Sequence, residues 1–576
     1  MSAIALAKVE ALAKAGQLTL KVCSKNESSS ASMTNQLTAI KPAHTALPPE
    51  LAPEAADSYL TDESRLRGRA ERLFFPSSEA EVAAVLKAAA DAAKPVTISG
   101  GRTGIAGGAV PEGGWLISLD KMNRLTALSY DSGANRFYLH CQPGVTLETI
   151  HTAVEKKQFP GEETWDADSQ SALQQLRTKG AWMFPPDPTE RSATLGGMAS
   201  CNASGARTLF YGPTRRYVER VRAALIGGFV LDATRGTSAA APDGAFQLVL
   251  PDGAGHAGRI PEYTMPAVKN AAGYFARPGM DLLDLLIGSE GTLAVVTELV
   301  ITLIPAPETI LGVIGFFNSE SEALDFVRAA RGEKPLAETP LLPAPPLALE
   351  YFDFNALNLL RDQKAKQGAT SAIPALPEKA HTAMFIELAT TETDLESTAE
   401  ALLTLLEACG SSADTAWTAM TSEETERLKA FRHALPETIN QRIGERAQKI
   451  PGLTKLGTDL AVPDDALLKM MAVYRELLDT AALEYVIFGH IGNNHVHVNI
   501  LPRDLDEYAR GKALYLELAR KALAWGGTVS GEHGIGKLKK PLLRLMFGED
   551  GIAAMRAVKR VFDPASLLNP GTLFDR

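Results

Sequence analysis

Pro95-Val96-Thr97-Ile98-Ser99-Gly100-Gly101-Arg102-Thr103-Gly104-Ile105-Ala106-Gly107-Gly108 decides how this chain is read. Its first half is a short strand that follows a helical pattern over Glu79 to Ala93, where Val82, Val85, Leu86 and Ala89 share a face and Pro95 is the stop. Its second half places five glycines within nine residues. Consecutive backbone N–H groups in such a turn form a nest for phosphate oxygens. The spacing GxGxxG does not occur in it, so alone the loop is as readily a surface turn as an anion site.

Two further segments change that balance. One runs Pro185-Pro186-Asp187-Pro188-Thr189 and then Thr194-Leu195-Gly196-Gly197-Met198-Ala199-Ser200-Cys201-Asn202-Ala203-Ser204-Gly205, and the other is Gly288-Ser289-Glu290-Gly291-Thr292-Leu293. Small residues let backbone approach a large flat ligand, while hydroxyl and amide groups supply hydrogen bonds. Three such segments in one stretch of chain point to a bulky cofactor bearing phosphates. Strands are expected at Trp115 to Leu119, Phe137 to Cys141, Val218 to Ile226 and Phe246 to Leu250, with a hairpin turn at Gly227-Gly228. A long β-branched strand from Leu293 to Ile304 closes on Pro305-Ala306-Pro307, which marks a domain boundary.

Beyond that boundary the spacing predicts a βαβ-sized unit: a strand at Leu311 to Phe317, a helix over Glu320 to Ala330 and a strand at Leu347 to Phe352. A strand at Thr382 to Leu388, helices at Thr393 to Ala408, Ser422 to Ile443 and Pro463 to Leu478, and paired strands at Tyr485 to Phe488 and Val496 to Leu501 follow. The expectation is an α+β layer, a sheet with helices on one face.

The bulk numbers narrow the class. A chain of 576 residues exceeds one compact core, so two or three domains are expected. A formal net charge of -10 argues against nucleic acid and anionic membrane as partners. No apolar run reaches the length of a membrane span, and four scattered cysteines form no CxxC pair. Residues 1–49, with a serine-rich stretch and a run of prolines, read as a flexible extension, with Met33 as an alternative start.

Four of the ten histidines fall in Gly489-His490-Ile491-Gly492-Asn493-Asn494-His495-Val496-His497-Val498-Asn499 and Ser530-Gly531-Glu532-His533-Gly534-Ile535-Gly536. Residues 495, 497 and 499 share one face of a strand, and the turn at 492–494 can return His490 beside it. A lone histidine is usually a hydrogen-bonded core or surface residue; this group with Glu532 nearby reads as a site. Gly531 to Lys537 fits GxxxxGK, but Leu538 stands where a P-loop needs Ser or Thr, so nucleotide hydrolysis is rejected.

With Pro143-Gly144 and Tyr211-Gly212, the glycine segments resemble the FAD-binding domain of the vanillyl-alcohol oxidase superfamily. The motifs GHIGNNHVHVN (489–499), SGEHGIGKLKK (530–540) and FDPASLLNPGTLF (562–574) sharpen this to the branch of FAD-linked D-lactate dehydrogenase, the glycolate oxidase flavin subunit and D-2-hydroxyglutarate dehydrogenase. The resemblance covers roughly Ala70 to Phe574. It implies a two-subdomain PCMH-type FAD-binding domain over 50–305, an α+β (ferredoxin-like) substrate cap over 306–525, and a C-terminal segment over 526–576 that returns to the FAD domain.

It further implies that Ser99, Gly100, Gly101, Arg102, Thr103 and Gly104 cradle the FAD pyrophosphate. Thr194, Gly196, Gly197, Asn202, Gly205, Glu290, Gly291 and Thr292 would line the flavin and adenosine portions, with Pro143, Gly144, Asp187 and Asn569 among the cofactor-binding positions. Arg102 stands where glycine is common, so its side chain faces solvent or assists a phosphate. The loop has no His or Cys to tether flavin, so FAD is expected to be non-covalent. His490, His497 and Glu532 would be ligands of a divalent metal, zinc or manganese. His533 would be the general base and Arg432 the clamp on the substrate carboxylate, with His495, Asn499 and Lys539 as further substrate contacts. His495 replaces the Asn usual in relatives, as an extra ligand or a substitute hydrogen-bond donor. Gly457 stands where relatives carry a lysine, which weakens the case for a long dicarboxylate.

The reaction implied is oxidation of a D-2-hydroxy acid to its 2-oxo acid, with electrons passed to an external acceptor: a quinone, a cytochrome, an electron-transfer flavoprotein or a partner subunit. A homodimer, a cytoplasmic location and peripheral attachment at the inner membrane are compatible with it. The rivals are an alkyl-glycerone-phosphate-synthase-like FAD transferase and a histidine-cluster metal hydrolase.

Overall fold

A computed structural model describes residues 33–52, 57–333, 340–371, 373–419 and 421–575. Among these the chain builds three sheets. In the smallest, Val96–Ser99 lies parallel to Trp115–Ser118, which lies parallel to Arg72–Phe74, and helix Glu79–Asp91 makes the crossover. Ser78 caps that helix by accepting from the Glu81 N–H, and Val82, Val85, Leu86 and Ala89 are fully buried. The glycine loop therefore leaves the carboxyl edge of parallel strands, where α/β units place their ligands.

The second sheet has nine strands and holds the long strand Val295–Pro305 between Val218–Ala224 and Arg136–Cys141. Gly227 and Gly228, with φ of +91° and +87°, lie in the three-residue loop 226–228 that turns the chain from Val218–Ala224 into Val230–Thr234, closed by Leu225 N to Phe229 O and Gly228 N to Leu225 O. This sheet also corrects one expectation. The flexible extension over 1–49 contains strand Gln36–Ile40, paired with Leu231 on one side and with Gln247 to Val249 on the other. Gln-Leu-Thr-Ala-Ile alternates in burial, with Leu37 and Ala39 inside, so its period of two marks a sheet strand despite the prolines that follow. Residues 1–32 lie outside the described residues.

The sheet changes after Pro305: Thr309–Phe317 opens the third, seven-stranded sheet with Thr382–Thr390, Ala348–Phe352, Tyr485–Gly489 and His497–Ile500. Helices cover both of its faces, where one was expected. A Cβ on Gly312 would meet Leu428 of helix Ser422–Lys449, and one on Gly315 would meet Leu406 of helix Leu395–Ala408. The unbroken burial of Leu311 to Phe317 follows from this two-sided cover. Strand Leu125–Asp131 and helices Leu147–Lys156, Ala167–Thr178 and Leu505–Ala524 had no counterpart in the sequence reading.

The C-terminal segment returns to the first sheet after helix Lys540–Phe562. The Val96 N–H donates to Leu567 O at 2.8 Å, and Asn569 Oδ1 accepts from the Ile98 N–H at 2.8 Å. No described helix is long and apolar enough to cross a membrane.

Candidate active site

The glycine segments converge at the carboxyl edge of the small sheet. The Gly101 N–H donates to Thr194 Oγ1 at 3.2 Å, Leu195 N to Val145 O at 2.8 Å, and Gly196 N to Pro143 O at 2.8 Å. Gly288 N and Glu290 N donate to Ala199 O and Ser200 O. Close approach explains the glycines here: a Cβ on Gly100 would lie 2.6 Å from Thr194 Oγ1, and one on Gly144 would lie 2.3 Å from Leu119 O. Gly104 and Gly108 instead face open space, so the loop keeps an uncovered backbone flank above a packed base. This is a cradle of the kind a pyrophosphate needs, and the residues fit FAD.

Several expected cofactor positions also make hydrogen bonds and ion pairs within the protein. Arg102 adopts φ +59°, pairs with Asp120 at 3.4 Å, and lays its guanidinium 4.3 Å from the centre of the Tyr59 ring. Glu290 spends both carboxylate oxygens on the backbone N–H groups of Ile535 (2.8 Å) and Gly536 (2.7 Å). Asn569 donates to Glu290 O, and Asn202 Oδ1 accepts from Arg215 N. Asp187 is half-buried, its carboxyl pushed up to about 6 by desolvation against the pull of Arg207 and Arg432, and it accepts from Arg207 N. Burial pushes the Cys201 thiol up to about 12. Replacing Glu290 with alanine is expected to destabilise the protein by about 3 kcal/mol, because two buried N–H groups lose charged acceptors. Urea unfolding and flavin retention after gel filtration would read this, and unchanged values would contradict the clamp.

The expected histidines do meet. Glu532 Oε1 lies 3.2 Å from His490 Nε2 and 3.2 Å from His497 Nε2. Each ring has its other nitrogen fixed: His490 Nδ1 lies 2.6 Å from Glu350 Oε1, and His497 Nδ1 lies 3.2 Å from Thr458 O. Burial disfavours charge on His490, but Glu350 and Glu532 outweigh it and take the ring to about 9. Burial pushes Glu350 up, and His490 with Arg432 pulls it back down to about 2. Two imidazoles with pinned far nitrogens and one carboxylate suit a divalent ion, so the donor set fits the expected metal.

His533 stands beside the cluster. Its ring stacks on His497 with centroids 5.1 Å apart, Nδ1 lies 3.5 Å from Asp459 Oδ2, and Nε2 lies 3.7 Å from Glu532 Oε1. It keeps 22% of its side chain exposed, against 7% for His490 and 11% for His497, so it is the ring a ligand can reach. Burial lowers it to about 3 against the pull of Asp459.

Three acidic and basic groups at this site had not been singled out. Asp459 Oδ2 accepts from Ser530 Oγ, His533 N and Lys539 Nζ, while Oδ1 faces His495 Nε2 at 2.8 Å. Lys539 Nζ donates to Asp459 at 2.9 Å. Lys269, with 4% of its side chain exposed, donates to Glu532 Oε2 at 2.6 Å, and Glu350 orients His490. Arg432 meets Glu350 through Nε at 3.4 Å and sits near Asp187 and Glu387. Asn499 lies on the strand with His497, its amide oxygen 3.3 Å from where a Cβ on Gly457 would be. Ser204 Oγ, in the second glycine segment, reaches Glu532 Oε2 at 3.5 Å. A cavity of about 250 Å³, lined by Asn202, Ser204, Thr208, Lys269, Asn493 and Gly531, opens where cradle and cluster touch.

Comparison with known proteins agrees with this geometry. Residues 70–172 match the model of an FAD binding domain, and residues 314–573 match that of the C-terminal domain of FAD linked oxidases. The chain is 29% identical to a D-lactate dehydrogenase of Anaerostipes hadrus, over 90% of this chain and 93% of that protein. It is 28% identical to the glycolate oxidase subunit GlcD of Bacillus subtilis, over 87% and 88%. Among solved structures it resembles an alkyldihydroxyacetonephosphate synthase, with a TM-score of 0.55 at 14% identity over 92% of this chain and 87% of the other, a likeness of fold.

Proposed function

The chain belongs to the FAD-linked oxidases and is an oxidoreductase of that family acting on CH–OH donors, and from that premise we propose that it oxidises a D-2-hydroxy acid to the 2-oxo acid at the His490, His497, Glu532 and His533 cluster. The observation that carries this is one carboxylate oxygen, Glu532 Oε1, 3.2 Å from two imidazoles, with His533 beside it and Ser204 of the second glycine segment behind it. In this reading 50–305 holds FAD non-covalently, 306–525 caps the substrate, and 526–576 carries the base.

When bound, FAD supplies the acceptor for the α-hydrogen and a divalent ion, zinc or manganese, a Lewis acid for the α-hydroxyl. The chain's own residues do the rest. His490, His497 and Glu532 would hold the ion. His533 Nε2 takes the hydroxyl proton, and Asp459 faces Nδ1 to keep the ring oriented. Arg432, fixed on its helix against Glu350, receives the substrate carboxylate, with Asn499 as a further substrate contact. Lys269 and Glu350 fix the Glu532 carboxylate and the His490 ring from behind. Electrons leave to an external acceptor, since no cysteine cluster or CxxCH haem motif is present in the sequence.

The test is an anaerobic absorbance titration of FAD-loaded protein against D- and L-2-hydroxy acids in the presence of zinc or manganese. Bleaching near about 450 nm by D-lactate, glycolate or D-2-hydroxyglutarate, and by none of the L-acids, is the expected result. Flavin that stays oxidised with all of them would overturn the proposal and favour a transferase that uses the same fold without net redox.

A further inference from the structure

His495 is buried to 0% exposure, and its two nitrogens are treated differently by their surroundings. Nε2 lies 2.8 Å from Asp459 Oδ1, so it carries the proton that bonds this carboxylate. Nδ1 is then a lone-pair acceptor, and it is buried with no hydrogen-bond partner. An unpaired buried polar atom is destabilising. It is retained where something absent from the bare protein pairs with it.

The neighbours indicate what that is. One ligand atom from each of His490, His495, His497 and Glu532 falls within 4.8 Å of all the others. The His495 ring centroid lies 4.7 Å from that of His497 and 5.6 Å from that of His490. Each of the three rings has one nitrogen held by a protein acceptor: Glu350 for His490, Thr458 O for His497 and Asp459 for His495. That is how metal-binding histidines are oriented, with the far nitrogen fixed so that the near one presents its lone pair. A Cβ on Gly531 would lie 2.7 Å from His495 Nε2, so the chain keeps a glycine where the ring needs room.

We propose that His495 is a metal ligand through Nδ1, making the centre a three-histidine, one-glutamate site rather than the two-histidine, one-glutamate set expected from the sequence. The inference rests on the metal half of the proposed function and deepens it. Three imidazoles bias the site toward zinc over manganese, whose preference is for oxygen donors.

Glutamine and asparagine separate the two ring nitrogens. His495→Gln places an amide N–H near the Nε2 position, keeping the Asp459 bond while removing Nδ1; His495→Asn places a weaker oxygen donor near Nδ1. Zinc and manganese affinities of apo-protein are measured by competition with a chromophoric chelator, with no turnover involved. His495→Gln is expected to weaken zinc by at least about 10-fold while its Tm stays near wild type, and His495→Asn to shift the preference toward manganese. X-ray absorption of the zinc-loaded wild-type protein gives a second reading that needs no variant, with scattering from three imidazoles expected. Unchanged zinc affinity in His495→Gln, or a two-imidazole spectrum, would overturn the proposal while leaving flavin bleaching by a D-acid untouched. A wild-type protein that binds neither metal would overturn it together with the metal half of the function.

Discussion

Glu532→Gln is expected to lose at least about 100-fold in divalent-metal affinity and about 1000-fold in kcat/KM. The carboxylate is the single anionic donor facing both His490 and His497, each 3.2 Å from Oε1. An amide has half the acceptors and no charge, so it can satisfy one imidazole or Lys269 but not the whole set. Attractions to Lys269 and His490 hold Glu532 well below the usual carboxylate range in spite of burial, so the protein is built around the ionised form. The same change leaves Lys269 as a buried ammonium without its 2.6 Å partner, at a cost of about 3 kcal/mol. Two readouts therefore move together: Tm falls in the metal-free protein, and metal addition no longer restores it. A variant with wild-type turnover and metal affinity would remove Glu532 from the centre of the site.

What could be read in the sequence was what is local. The glycine loop after Val96–Ser99 and the paired strands Tyr485–Gly489 and His497–Ile500 carry their signals within a dozen residues, and they fold as the spacing says. The three expected metal ligands also lie in two short motifs, and the structure brings them together. The supporting charges were not legible because chain separation hides them: Glu350 is 140 residues from His490, and Lys269 is 263 residues from Glu532. Lys269 is delivered by backbone, since Ala271 N donates to Ser530 O at 2.8 Å and pins the 269–271 loop beside the 528–531 turn. Strand Gln36–Ile40 had a visible alternation, but its partners lie near 231 and 247, and a single strand shows nothing of its sheet. The second face of the seven-stranded sheet was hidden for a related reason. An unbroken apolar run such as Leu311 to Phe317 states that both faces are covered without naming the helices that cover them.

His533→Ala is expected to lower kcat by roughly 10²–10⁴-fold, the range that a positioned general base contributes. The ring is the most exposed of the four, stacked on His497 with Nδ1 toward Asp459, so its removal opens space without stripping a donor from the 490, 497 and 532 set. The turn that carries it is held independently: Asp459 also accepts from Ser530 Oγ at 2.5 Å, from the backbone N–H of residue 533 at 3.0 Å and from Lys539 at 2.9 Å. Flavin content, zinc affinity and Tm should therefore stay near wild type while flavin bleaching slows. Because the vacated volume matches an imidazole, adding imidazole should restore part of the rate, and the restored rate should rise with the fraction of imidazole in its neutral form. A residue that merely shaped the pocket would not respond to an external base. Undiminished bleaching in His533→Ala would move the proton acceptor elsewhere, and loss of zinc binding in the same variant would place His533 among the ligands instead.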